Sequence, residues 1–165
     1  MTDAPKTADR ERGEEESPSP TVRVLICGGR EWRDHAWPWA HLDWLYKTVA
    51  PFGRVITGGA PGIDTIAHRW AVKRGIETEV FQADWSREGR AAGPLRNQRM
   101  IDQGRPQLVI AFPGGRGTAD MVNRAKAAGV DVITVPNPAA GAQRSELTDP
   151  PAQPTTQPKA STHDR

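Results

Sequence analysis

Five short apolar runs alternate with helix-length amphipathic stretches along this chain, and that alternation leaves few folds open. The runs are Val22–Cys27 (VRVLIC), Arg54–Thr57 (RVIT), Thr78–Phe81 (TEVF), Gln107–Phe112 (QLVIAF) and Asp131–Val135 (DVITV). Between them, Ala36–Ala50 sets Trp37, Leu42, Trp44, Leu45 and Val49 at spacings of three and four, and Pro38 suits a first helical turn. Pro61–Gly75 places Ile63, Ile66, Ala67, Trp70 and Ala71 on one face, with Gly75 as a stop. Shorter helices are expected over 93–104, around Leu95, Met100 and Ile101, and over 117–129. Near-continuous Val/Ile/Leu strands separated by helices are the pattern of a parallel sheet buried on both faces. The expected fold class is therefore α/β, a Rossmann-like open parallel sheet of about five strands with helices on both faces.

The folded unit is expected to span residues 21–136. Residues 1–20 contain no Val, Ile, Leu or aromatic residue, and residues 137–165 offer only Leu147, so neither tail can bury enough apolar surface to offset its conformational entropy. Both are expected to be disordered. The first twenty residues carry three Lys/Arg against six Asp/Glu and the last twenty-nine carry three of each, which leaves residues 21–136 with sixteen against eleven, a surplus of +5. That surplus suits a phosphate-bearing partner. No apolar run approaches the roughly 18 residues that a membrane helix needs, and the N-terminus lacks the apolar core of a signal peptide. With a single cysteine, Cys27, the chain reads as a cytoplasmic protein without an internal disulfide.

Three of the strand-like runs end on a glycine pair: Gly28-Gly29, Gly58-Gly59 and Gly114-Gly115. One such pair is ordinarily a turn. Three on one edge of a parallel sheet ask for a common cause, and glycine lets backbone N–H groups approach a phosphate closely. The stretch Pro113–Thr118 opens a helix whose unpaired amides and positive dipole end add to that cradle, with the Thr118 hydroxyl as a further donor or an N-cap. Arg30 and Arg116, with Gly117 beside it, stand where an arginine can grip phosphate through two donors. Asp64, beside Ala60 on the first turn of its helix, either accepts from a ribose or holds the glycine loop shut. The polar segment 84–97 supplies Asp84, Trp85, Arg96 and Asn97; Trp85 is the first choice of stacking surface for a base, with Trp32 covering a base or pinning its loop. Trp37, Trp44 and Trp70 are expected in the core. His35, His41 and His68 have no metal-ligand spacing, so no metal site is expected. No Walker motif, nucleophile elbow or Ser-His-Asp order is present.

Taken together, Gly28–Asp34 (GGREWRD), Thr57–Asp64 (TGGAPGID) with Ala67–Ala71 (AHRWA), Ala92–Asn97 (AGPLRN) and Phe112–Met121 (FPGGRGTADM) resemble the SLOG superfamily, in its YspA-type, YpsA-related branch. The resemblance covers residues 22–135 and implies a Rossmann-like domain with a nucleotide over its glycine loops. More distantly the chain is similar to Lonely Guy phosphoribohydrolases, which share PGGxGT but carry a catalytic glutamate three positions after the threonine. Here that position is Met121, which can neither accept a proton nor stabilise a cationic transition state. The sequence also resembles the Rossmann-like domain of DprA through Thr57–His68 and Arg96-Asn97. The leading expectation is a domain that binds a nucleotide or nucleotide derivative of unassigned identity, with no certain cofactor. The second is a hydrolase with a shifted carboxylate (Asp64, Asp84 or Asp120). The third is single-stranded DNA binding, against which the basic residues are scattered rather than striped. A homo-oligomer fits the tryptophan-rich helix, which carries apolar residues on more than one side.

Overall fold

The computed structural model describes residues 20–138, so the two tails lie outside the described residues apart from Pro20, Asn137 and Pro138. The elements in chain order are β1 (Val22–Cys27), α1 (Ala36–Thr48), β2 (Phe52–Thr57), α2 (Ile63–Lys73), β3 (Glu77–Val80), α3 (Trp85–Glu88), a 3₁₀ turn (Gly89–Ala91), α4 (Ala92–Asp102), β4 (Leu108–Ala111), α5 (Arg116–Ala127) and β5 (Asp131–Thr134). All four strand pairings are parallel, in the order β3-β2-β1-β4-β5. This is the α/β arrangement expected from the alternation.

Strand β1 shows how a single run serves two cores. Val24 and Ile26 pack with Leu42 and Leu45 of α1 and with Ile63, Ile66 and Trp70 of α2. Leu25 and Cys27, on the other face, pack with Met100 and Ile101 of α4 and Met121 and Ala125 of α5. Because successive strand residues point to opposite faces, both must be apolar when helices cover both sides. Of the tryptophans expected inside, Trp70 is fully buried, whereas Trp37 and Trp44 are half-buried against the same core. Leu95 and Val49, read as members of apolar helix faces, are instead about half exposed. Each helix has one neighbour layer to satisfy, and the positions left over face water.

The polar segment 84–97 is largely helical. Asp84 caps α3, its carboxylate accepting from the Arg87 amide at 3.0 Å and the Ser86 hydroxyl at 2.7 Å. Those bonds hold the Asp84 carboxyl below its ordinary pKa. Among the described residues no helix is long and apolar enough to cross a membrane.

Candidate ligand cleft at the β1/β4 crossover

The order β3-β2-β1-β4-β5 reverses direction between β1 and β4, and the loops after these two strands run to opposite faces of the sheet. A crevice opens at such a point beyond the carboxyl ends of the strands. Here it is a cleft of about 790 Å³, floored by Cys27 and Met100 and walled by the loops Gly28–Asp34 and Pro113–Thr118. Ala60, Asp64, Arg96, Asn97 and Asn137 complete it.

The glycine bends after β1 and β4 touch. The Gly29 amide donates to the Pro113 carbonyl at 2.9 Å, and the Gly29 carbonyl accepts from the Ile63 amide at 3.1 Å. A Cβ on Gly114 would lie 2.2 Å from Thr118 Oγ1 and 2.8 Å from the Gly29 nitrogen, so the two backbones meet at a distance only glycine permits. From there the chain enters α5, capped by Gly115 without a side-chain bond. Thr118 is not the N-cap but the third residue of the helix. The first backbone bond of α5 joins the Ala119 amide to the Gly115 carbonyl at 3.1 Å. The amides of Arg116, Gly117 and Thr118 therefore have no acceptor within the helix, and all three residues line the cleft. The positive end of a twelve-residue helix faces the same space.

The bend after β2 is built differently. Asp64, 5% exposed, accepts through Oδ2 from the amides of Gly58 at 2.9 Å and Ala60 at 3.4 Å. The Arg96 guanidinium donates to the Gly58 carbonyl from the other side. Gly58 and Gly59 are not part of the cleft wall, and the Gly58 amide is already taken by Asp64. Of the two roles open to Asp64, the geometry matches the one that holds the loop shut. Burial pushes its carboxyl up to about 6, and the attraction of Arg96 and the two amides only partly offsets that. Burial of Cys27 likewise pushes its thiol well above the ordinary range.

Arg96 and Asn97 form a brace under the cleft. Arg96 Nε donates to Asn97 Oδ1 at 3.1 Å, and Asn97 Nδ2 donates to the Gly117 carbonyl at 3.1 Å and to Asp120 Oδ2 at 2.9 Å. Arg124 Nε reaches the same Asp120 oxygen at 2.8 Å. Desolvation would raise the Asp120 pKa, but the bonds from Arg124 and Asn97 hold it below its ordinary value. Asp120 thus anchors α4 to α5 and does not line the cleft. Met121, fully buried, packs against the core around Cys27 and Met100. A side chain at that position points into the interior of this fold.

Trp85 is 51% exposed and stands off the cleft wall, with the Arg30 guanidinium 5.4 Å from its ring centroid. Trp32, by contrast, lines the cleft. Replacing Trp85 with alanine should release Arg30 while shifting stability by under about 1 kcal/mol, as expected for an exposed cation–π pair; chemical denaturation of the two proteins measures it. Glu31, Arg33, Asp34, Cys27 and Met100 also line the cleft, although none of them is among the binding residues expected from the sequence. Met100 has a legible signal, since it lies four and three residues beyond Arg96 and Asn97 on one helix face. Glu31, Arg33 and Asp34 have only their place in a loop after a glycine pair.

The sheet order, the crevice at its reversal and the glycine bends define a Rossmann-like domain. The model of the YspA, cpYpsA-related SLOG family matches residues 22–87. The Gene 61 protein of Mycobacterium phage D29 is 41% identical over 120 residues, which cover 67% of this chain and 94% of that protein. The chain belongs to the YspA, cpYpsA-related SLOG family. Its fold is similar to that of DNA processing protein A (DprA) from Streptococcus pneumoniae, with a TM-score of 0.57 at 20% identity over 73% of this chain. The likeness spans 52% of the DprA chain and is one of fold.

Proposed function

We propose that this domain binds a nucleotide or nucleotide derivative, with a phosphate seated on the Arg116–Thr118 amides and gripped by Arg116. The observation that carries the reading is the contact between the β1 and β4 glycine bends, which brings the cleft to the open end of α5. Helix N-termini with free amides favour anions by geometry and by dipole. Gly28, Gly29 and Arg30 form the facing wall. Binding rather than cleavage is favoured because Asp84 and Asp120 are committed to a cap and a brace, and Met121 is in the core. That leaves Asp64 as the cleft carboxylate among the three weighed for catalysis.

Thermal melting of the full chain with mononucleotides, NAD, ADP-ribose and cyclic nucleotides tests the proposal. A ligand at a hundred times its Kd should stabilise the fold by about 2.7 kcal/mol. Arg116→Ala should weaken that ligand roughly tenfold or more, the worth of a charge-assisted hydrogen bond, without lowering the melting temperature of the free protein by more than a degree or two. No shift with any of the panel at millimolar concentration would end the proposal. The fold shared with a DNA processing protein makes a single-stranded oligonucleotide the second probe. Binding by DNA would show as affinity that falls steeply with salt and exceeds that of every mononucleotide.

A further inference from the structure

We propose that Trp32 is a stacking plate for the flat base of the bound nucleotide, an inference that rests on the phosphate reading above and adds the base to it. Trp32 and Trp37 lie nearly parallel, with ring centroids 5.1 Å apart and an interplanar angle of 8°. Behind them, Trp37 packs on His41 at 4.2 Å and edge-on to Phe112 at 5.9 Å. Trp32 is thus the outermost plate of an aromatic column rooted in the core. One of its faces is covered by Trp37 and its Nε1 edge is tied to the Pro113 carbonyl at 3.1 Å. Trp32 lines the cleft while half-buried, and with one face and the Nε1 edge taken, the opposite face is the one assigned to the base.

The tie to Pro113 matters for the geometry. The same carbonyl accepts from the Gly29 amide, and two residues later Gly115 caps α5. Plate and phosphate cradle are therefore held on one stretch of backbone, at a fixed separation. A ligand that spans both needs an aromatic face at one end and an anion at the other, which is the chemistry of a nucleoside phosphate. Trp85 lacks these features, because Arg30 covers its ring and it stands off the cleft. A purine overlaps an indole more fully than a pyrimidine does, so purine nucleotides are the preferred class.

Calorimetric titration of the full-length protein with adenosine 5′-monophosphate, cytidine 5′-monophosphate, adenosine and ribose 5-phosphate tests this, using wild type, Trp32→Phe and Trp32→Leu. Stacking on an aromatic side chain should make the adenine nucleotide bind about tenfold or more tightly than ribose 5-phosphate. Trp32→Phe keeps a plate and should retain most of that preference. Trp32→Leu, which loses the Nε1 bond to Pro113 just as Trp32→Phe does, should abolish it, so that the adenine nucleotide binds that variant no more tightly than ribose 5-phosphate does. If both variants weaken all phosphate ligands equally, or if wild type shows no preference for a base, Trp32 is only a peg for the Pro113 loop and the proposal fails while the phosphate reading stands. Trp32-dependent binding of adenosine as tight as that of its monophosphate would support the plate and sink the phosphate cradle. Binding of none of the four would overturn both.

Discussion

Gly62→Ala is expected to destabilise the domain by at least about 3 kcal/mol and to lower its melting temperature by roughly 10 °C or more. Two independent costs add at this position. Gly62 sits at φ +79°, where an L side chain is strained by about 1–3 kcal/mol. A Cβ there would also lie 2.2 Å from the Gly29 carbonyl oxygen and 2.7–2.8 Å from the Arg30 backbone. These are main-chain atoms that cannot rotate aside. Moving them would break the Ile63–Gly29 and Gly29–Pro113 bonds that join α2, the β1 bend and the β4 bend. Because total stabilities of such domains run to only about 5–15 kcal/mol, the loss should be plain in a thermal melt. Gly117→Ala is the control: nothing lies within 4 Å of its added Cβ, and alanine suits a helix better than glycine. Gly62→Ala melting within a degree or two of wild type would show that the β1 bend yields freely and that the cleft wall is not built on this contact.

The second large effect concerns Asp64 and its response to pH. Its carboxyl is raised from 3.8 to about 6 in the folded protein, chiefly by burial. The native state therefore binds the proton more tightly than the unfolded chain does. The stability linked to this group is fully present below about pH 4 and is lost as pH rises through about 6, a change of about 3 kcal/mol at about 1.4 kcal/mol per unit. Asp84 and Asp120, both lowered, act in the opposite sense: their contribution is present above about pH 4 and lost on acidification. The Asp64 contribution is isolated by comparing wild type with Asp64→Asn in urea melts from about pH 4.5 to 7.5. The difference in stability between the two should move in favour of Asp64→Asn as pH rises. Asp64→Ala should be worse than Asp64→Asn at every pH, because both leave Arg96 without its counter-charge but only alanine also leaves the Gly58 amide without an acceptor. Parallel pH profiles for wild type and Asp64→Asn would mean that Asp64 titrates like an exposed carboxylate and that the brace around Arg96 is not buried in solution.

Much of the cleft is readable from local patterns, and the exceptions share a cause. Gly28, Gly29 and Gly114 announce themselves because only residues without a Cβ let two strand ends pass so closely, whereas Gly115 has open space around it. Gly58-Gly59 looks identical in one dimension yet serves another purpose, since the fold turns the Asp64 carboxylate onto the Gly58 amide. Nothing in the spacing of TGGAPGID distinguishes an amide that faces solvent from one that faces its own helix. Trp32 and Trp85 are likewise equivalent as loop tryptophans. Their separation comes from partners elsewhere in the chain, Trp37 and Pro113 for one and Arg30 for the other. Arg96 and Asn97 read as polar contacts for a ligand; both line the cleft, and both are also buried and bonded within the fold, because α4 packs against α5 and needs its polar side chains satisfied inside.

What the residue order determined by itself was the architecture: apolar runs of strand length between amphipathic helices admit a parallel sheet covered on both faces. The position of the glycine pairs at the strand ends followed from the same order. What the tertiary structure alone decided was which polar groups remain available. Hydrogen-bond partners such as Asn97 and Asp120, or Gly29 and Pro113, are far apart along the chain. Whether an amide, carboxylate or indole face is spent on the fold or left for a ligand depends on packing that no local pattern encodes.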